Sequence, residues 1–149
     1  MGDMTVHFSS ASEEWETPDD LFAELDGIFH FDLDACASPE NAKCERYFTR
    51  EQDALKQEWK GTVWMNPPYG RRRTEVFMAK AHESSLAGAT VVCLVPARTC
   101  TAWWHDHAKQ GTVMFLRGRL RFGRAKSSAP FPSAIVIFWG GRLGQAMRQ

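Results

Sequence analysis

Two apolar, β-prone runs that end in proline constrain this chain most. Thr62-Val63-Trp64-Met65 runs into Asn66-Pro67-Pro68, and Thr90-Val91-Val92-Cys93-Leu94-Val95 runs into Pro96. Short continuous apolar runs read as strands buried on both faces, the habit of parallel sheets covered by helices. Proline locks φ and lacks a donor, so each strand stops where its proline stands. The chain around them alternates. A helix is predicted from about Pro18 to Gly27 or Ile28, with Thr17 as N-cap and Asp19 and Asp20 in the first turn. Strand character follows at Phe31-Asp32-Leu33-Asp34-Ala35, and Tyr47-Phe48-Thr49 is a candidate short strand. Thr74 to Leu86 reads as a helix ended by Gly88, and Thr99 or Thr101 caps another through Trp103, Trp104 and Ala108 to Gly111. Strands at Thr112–Leu116 and Ser133–Trp139 close the order. This pattern predicts one α/β domain over residues 13–140, mostly parallel with an antiparallel C-terminal hairpin. Residues 1–12 read as a loose tail and 141–149 as a frayed one.

Composition excludes several classes. No apolar run approaches the roughly 20 residues of a membrane span, and the N-terminus lacks a signal-peptide core, so a cytosolic protein without membrane partners is expected. The four cysteines show no CxxC spacing, against zinc or a disulfide framework. His105-Asp106-His107 is poorly spaced for ligation, because i and i+2 do not share a helix face; no metal is expected. Formal charge is zero but unevenly divided. Residues 1–70 carry 15 acidic and 5 basic side chains, residues 71–149 carry 3 and 13. The basic half suits a polyanion such as DNA, or the two halves pair across one surface.

The stretch Asn66-Pro67-Pro68-Tyr69-Gly70 carries the clearest chemistry. A buried strand delivers an amide, two rigid carbonyls and an aromatic ring to the end of a sheet, where ligands of open α/β sheets bind. An ordinary Pro-Pro turn has the same composition. Small residues Ala35, Cys36, Ala37 and Ser38 follow the first strand and would let a cofactor approach the backbone, with Asp34 to accept from it. A β-turn with a solvated Asp is the plainer alternative. Arg71-Arg72-Arg73 adjoins the pentapeptide and suits phosphate contact. On an extended strand Arg117, Arg119 and Arg121 would share one face, costly unless they meet water or phosphate.

Seven stretches together resemble the phage-type DNA adenine-N6 methyltransferases. They are Trp15-Glu16-Thr17-Pro18, Leu33-Asp34-Ala35-Cys36-Ala37-Ser38, Gln52-Asp53-Ala54-Leu55, Asn66-Pro67-Pro68-Tyr69-Gly70, Leu94-Val95-Pro96-Ala97-Arg98-Thr99, Gly118-Arg119-Leu120-Arg121-Phe122 and Ala129-Pro130-Phe131-Pro132-Ser133. The resemblance implies a Rossmann-like fold, S-adenosylmethionine as cofactor, DNA as partner, and a phage or prophage protein working in the bacterial cytoplasm. It implies that Asp34, Ala35 and Cys36 line the cofactor pocket with Asn66, and that Asp53 meets the adenine amino group. Trp15, Thr17 and Pro18 would close that pocket around the methionine end. Arg98 would join the DNA-binding set, and Phe131 would stack on the target base. The turn after the first strand lacks the glycines usual in methyltransferases. Glu40, Glu45 and Glu51 are equal candidates for a ribose-binding acid.

Mechanism follows from the chemistry of the amine. The exocyclic lone pair of adenine is delocalised into the ring, so acceptors aimed at its hydrogens favour the charge that develops on attack. The Asn66 side-chain oxygen and the Pro67 carbonyl would be those acceptors, Pro68 stiffens the loop, and Tyr69 would stack on a base flipped from the duplex. Two alternatives stay open: a glutamine methyltransferase acting on protein, and a nucleic-acid-binding module without catalysis.

Overall fold

The computed structural model describes residues 15–70, 72–123, 125 and 127–149. Helix α1 (Asp19–Phe29) leads to a short strand β1 (Leu33–Asp34), and a 3₁₀ turn at Ala54–Lys56 precedes β2 (Thr62–Met65). Then come α2 (Arg73–Leu86), β3 (Thr90–Pro96), α3 (Ala102–Asp106), a 3₁₀ turn at Ala108–Gln110 and β4 (Thr112–Phe115). Strand β5 (Ser133–Phe138) and helix α4 (Gly141–Met147) complete the order. The five strands lie in the order β1-β2-β3-β5-β4. β1, β2 and β3 pair in parallel, and β5 runs antiparallel to both β3 and β4. The fold is thus a small mixed α/β domain with a mostly parallel sheet and a reversed last strand.

Period-two alternation in the strands builds two cores. Val63, Met65, Val91, Cys93, Val95, Ala134, Val136 and Phe138 face α2 and α3, where Phe77, Met78, Trp103 and Trp104 meet them. Trp64, Val92, Leu94, Ile135 and Ile137 point to the other face, against Phe22 and Leu25 of α1. Each such aliphatic side chain contributes roughly 1.5–3 kcal/mol on full burial, and both faces are needed to cover so apolar a sheet. Ile28, at helical spacing from Leu25, is 70% exposed instead.

Several local expectations change. Thr17 does not cap α1; Pro18 stands at the N-cap with no side-chain cap bond, because the Thr17 hydroxyl is engaged elsewhere. Thr101, not Thr99, caps α3, accepting from the Trp104 N–H. Tyr47 makes a single parallel bridge to Asp34. The expected helix through Ala108 breaks at His107; His105 Nε2 sits 2.8 Å from the Thr99 carbonyl and His107 Nδ1 3.1 Å from His82 Nδ1. Among the described residues no group of three or more His, Cys, Asp or Glu is placed to hold a metal ion, and no helix is long and apolar enough to cross a membrane.

Residues 141–147 form a helix rather than a frayed tail. Glycine makes this possible: Gly141 has φ of 62°, and a Cβ on Gly140 would lie 2.1 Å from the Ala89 carbonyl oxygen. That approach lets the Gly140 N–H reach Thr90 Oγ1 at 3.1 Å. Gly140→Ala is therefore expected to cost roughly 1–3 kcal/mol through overpacking against backbone, measured by denaturant unfolding. A variant as stable as the parent would show that α4 does not dock this way.

Candidate active site

The parallel register brings the C-terminal ends of β1, β2 and β3 to one edge. Asp34 pairs with Trp64 and Met65 with Cys93, and the Ala35 N–H donates to the Trp64 carbonyl at 2.9 Å. Asn66 leaves β2 at this edge. Its Nδ2 donates to the Trp15 carbonyl oxygen and, at 3.1 Å, to Thr17 Oγ1. Thr17 Oγ1 also accepts from the Trp64 indole Nε1 at 3.2 Å. A carbonyl only accepts, so the amide must present its NH₂ to Trp15 and turn Oδ1 the other way. Asn66 Oδ1 is buried and has no hydrogen-bond partner among the described residues. Ser133 Oγ shares that property, and Ser133 lies opposite Pro96 at the same edge. Buried unpaired acceptors are uncommon and costly.

Tyr69 sits in a cluster of four mutually contacting rings. Trp15 stacks on it at 6.4 Å between centroids and 24° between planes. Phe122 and Phe131 meet it edge-on at 6.1 and 5.6 Å, and Trp15 touches both. The Tyr69 hydroxyl donates to the Leu94 carbonyl at 3.1 Å, and the residue is 3% exposed. Burial pushes its phenol well above the ordinary range. So Tyr69 supports the fold as well as any chemistry, and its ring face is covered rather than open to a base. Trp15 is half-buried in this cluster.

Asp34 organises the loop that follows it. Its carboxylate accepts from the Cys36 N–H at 3.3 Å and the Lys43 N–H at 3.0 Å, while the Lys43 ammonium pairs with Asp19 in the first turn of α1. Ala35 is fully buried and Cys36 half-buried; burial raises the Cys36 thiol well above its usual value. Asp53, by contrast, caps the 3₁₀ turn, accepting from the Leu55 N–H at 3.2 Å with φ of 53°. Glu40, Glu45 and Glu51 are all exposed.

The arginines divide. Arg71 lies outside the described residues. Arg72 is exposed at the N-cap of α2 with φ of 68°. Arg73 is half-buried, and its charge acts on the Cys36 thiol. Arg117, Arg119 and Arg121 are exposed but share no strand face, because β4 ends at Phe115 and the chain turns at Gly118, φ 73°. Their loop folds back over the site: Phe122 joins the aromatic cluster and the Gly123 N–H donates to the Glu16 carbonyl at 2.9 Å. Arg98 packs over the Phe131 ring at 5.9 Å.

Comparison with known proteins gives the family. Residues 5–140 match the family described as DNA N-6-adenine-methyltransferase (Dam). The chain belongs to the Dam family. It is 37% identical over 140 residues to a DNA N-6-adenine-methyltransferase of Haemophilus phage HP1, covering 87% of this chain and 80% of that one. It is 40% identical over 95 residues to a protein of that description from Escherichia phage T1, covering 62% of this chain but only 39% of the T1 protein. Sequence reasoning about this Dam-family chain missed Phe122, although its alternation with Leu120 marked a buried position. It also missed the bonds from Thr17 to Asn66 and Trp64, which join residues 47 to 49 positions apart and leave no local pattern.

Burial raises the Asp34 carboxyl to about 6, against the backbone N–H groups of Lys43 and Cys36, which pull it down. Its folded pKa lies above the unfolded value of 3.8, so between about pH 4 and 6 the folded chain holds more protons at this site. The stability it confers is therefore greatest below pH 4, falls as pH rises through 6, and is constant above. Relative to Asp34→Asn, which does not titrate, the parent should lose about 3 kcal/mol from pH 4 to pH 7. Urea unfolding of both proteins across that range measures it, and a pH-independent difference would contradict it.

Proposed function

We propose that the protein transfers a methyl group to the exocyclic N6 of adenine in DNA, using S-adenosylmethionine. The observation that carries this reading is Asn66 Oδ1: a buried acceptor, orientated by two donor bonds on the far side of its amide, and itself unpaired among the described residues. An adenine amine offers the two hydrogens such an acceptor needs. Asn66 Oδ1 and the Pro67 carbonyl take those hydrogens, orient the amine and stabilise positive charge on it as it attacks. The two prolines hold both oxygens on a rigid turn, so little reorganisation is needed.

The residues fit the cofactor. A buried carboxylate ends β1, buried Ala35 and half-buried Cys36, Ala37 and Ser38 follow it, and Asn66 Oδ1, unpaired among the described residues, lies one strand away. Asp34 with Ala35 and Cys36 would hold it, within a Rossmann-like arrangement of the sheet. When bound, S-adenosylmethionine supplies an electrophilic methyl group. Asp53 joins this set only if its carboxylate, now holding the Leu55 N–H, also reaches the cofactor amine.

The target base leaves the duplex and enters by parting the cluster of Trp15, Phe122 and Phe131 around Tyr69. Exposed Arg98 packs over the Phe131 ring of that cluster, and exposed Arg117, Arg119 and Arg121 lie on the loop that carries Phe122. This basic rim favours DNA over the protein substrate of a glutamine methyltransferase. An orientated, unpaired catalytic amide disfavours a module that only binds. The phage relatives favour action in the cytoplasm of an infected bacterium.

Asn66→Ala should lower turnover roughly 10²–10³-fold, as loss of a preorganised hydrogen-bonding group does, with cofactor affinity little changed. Labelled methyl transfer to adenine-containing DNA, followed by nucleoside analysis, is the assay; methylation at the parent rate ends this reading. Tyr69→Phe should cost about 1 kcal/mol of stability for the missing bond to Leu94 and leave base stacking intact, so its turnover should stay near that of the parent. Replacing Arg98, Arg117, Arg119 and Arg121 by Gln should flatten the log–log salt dependence of DNA binding by about 0.9 for each phosphate no longer neutralised. An unchanged slope would return these arginines to a plain solvated surface.

A further inference from the structure

We propose that Thr17 is a positioning residue for Asn66, its hydroxyl fixing the amide in the one orientation that aims Oδ1 at the target amine. This rests on the reading of Asn66 as acceptor of that amine. A carboxamide is nearly symmetric in shape, and turning it over exchanges its donor and acceptor ends. Catalysis by the oxygen end therefore needs something that tells nitrogen from oxygen. The Trp15 carbonyl does so by charge, since a flipped Oδ1 would face another acceptor. That bond alone uses one amide hydrogen. Thr17 Oγ1, 3.1 Å from Nδ2, takes the second, so both donors are committed and only Oδ1 is left.

Thr17 is itself held. It is 7% exposed, and the wholly buried Trp64 donates its indole N–H to the same Oγ1 at 3.2 Å. The indole can only donate, which turns a lone pair of the hydroxyl towards it and restricts the threonine rotamer. The chain at this point is fastened on its other side by Gly123, whose N–H bonds the Glu16 carbonyl. The stretch 15–17 thus ties the loop that carries Phe122 to the amide of Asn66, and Thr17 commits its side chain to that amide instead of to the start of α1.

The test compares Thr17→Val, which keeps shape and removes the hydroxyl, with Thr17→Ser, which keeps the hydroxyl. Methyl transfer is measured at saturating DNA and S-adenosylmethionine, with thermal unfolding on the same samples and rates taken well below each midpoint. Thr17→Val should lose about tenfold in kcat, the equivalent of one hydrogen bond, with the cofactor KM within about twofold. Thr17→Ser should recover most of the rate. Thr17→Val also leaves the Trp64 N–H unpaired, so the pair Thr17→Val/Trp64→Phe serves as a second background and should show the same kcat loss. Added to Asn66→Ala, Thr17→Val should cost nothing more.

A readout without turnover is the side-chain NH₂ of Asn66 by nitrogen-15 NMR, assigned through its loss in Asn66→Ala. Both hydrogens should be protected in the parent and one released in Thr17→Val. A rise in cofactor KM with unchanged kcat would make Thr17 a cofactor ligand and overturn the proposal, as would unchanged Asn66 resonances. If Asn66→Ala keeps the parent rate, the acceptor reading itself falls, and the two failures are distinct.

Discussion

The carboxamide of Asn66 is the joint on which the site depends. It is reached from three directions: along β2 by the main chain, from the Trp15 carbonyl, and from the Thr17 hydroxyl. Each link secures a different part of the molecule. The first ties the amide to the parallel pairing of β1, β2 and β3; the others tie the segment before α1 to the end of the sheet. A buried amide with both hydrogens bonded and its oxygen unpaired among the described residues is unfavourable for stability alone. Its orientation is what a group that must accept from an incoming amine requires.

The aromatic cluster is the second consequence of that joint. Fixing the Trp15 main chain to Asn66 places the Trp15 ring against Tyr69, and the loop between β4 and β5 then adds Phe122 and Phe131. The four rings bury one another and would have to part for a base to stack. On the proposed reading such closure would keep water from the amine acceptors, where hydrogen bonds and charges act more strongly. It also gives Tyr69 a structural role, since its hydroxyl braces the end of β3.

Legibility in the sequence followed the range of the interactions. The strands ending at Asn66 and Pro96 were readable because continuous apolar runs stopped by proline allow few other structures. The pentapeptide and Asp34 were readable as strand ends, where side-chain type and backbone position are set locally. The alternating arginines left two outcomes, a strand extended or bent, and Gly118 turns the chain. Thr17 misled: Thr-Pro before two aspartates is a sound helix start, yet the hydroxyl found a more distant partner. The C-terminal residues looked like a tail because three glycines weaken any helix, while the close backbone approach they permit cannot be seen in one dimension.

Taken alone, the sequence determined the alternation of strands and helices, the edge at which β2 delivers Asn66, the rigid turn after it and the basic character of the second half. These depend on periodicity, on the fixed φ of proline and on composition, all carried by neighbouring residues. Only the tertiary structure decided which way the Asn66 amide faces, that Trp15 and Tyr69 close over each other, and that Asp34 is buried with a raised pKa. Those depend on contacts across tens of residues and on exclusion of water, and both arise only when the sheet, α1 and the loop before β5 have packed together.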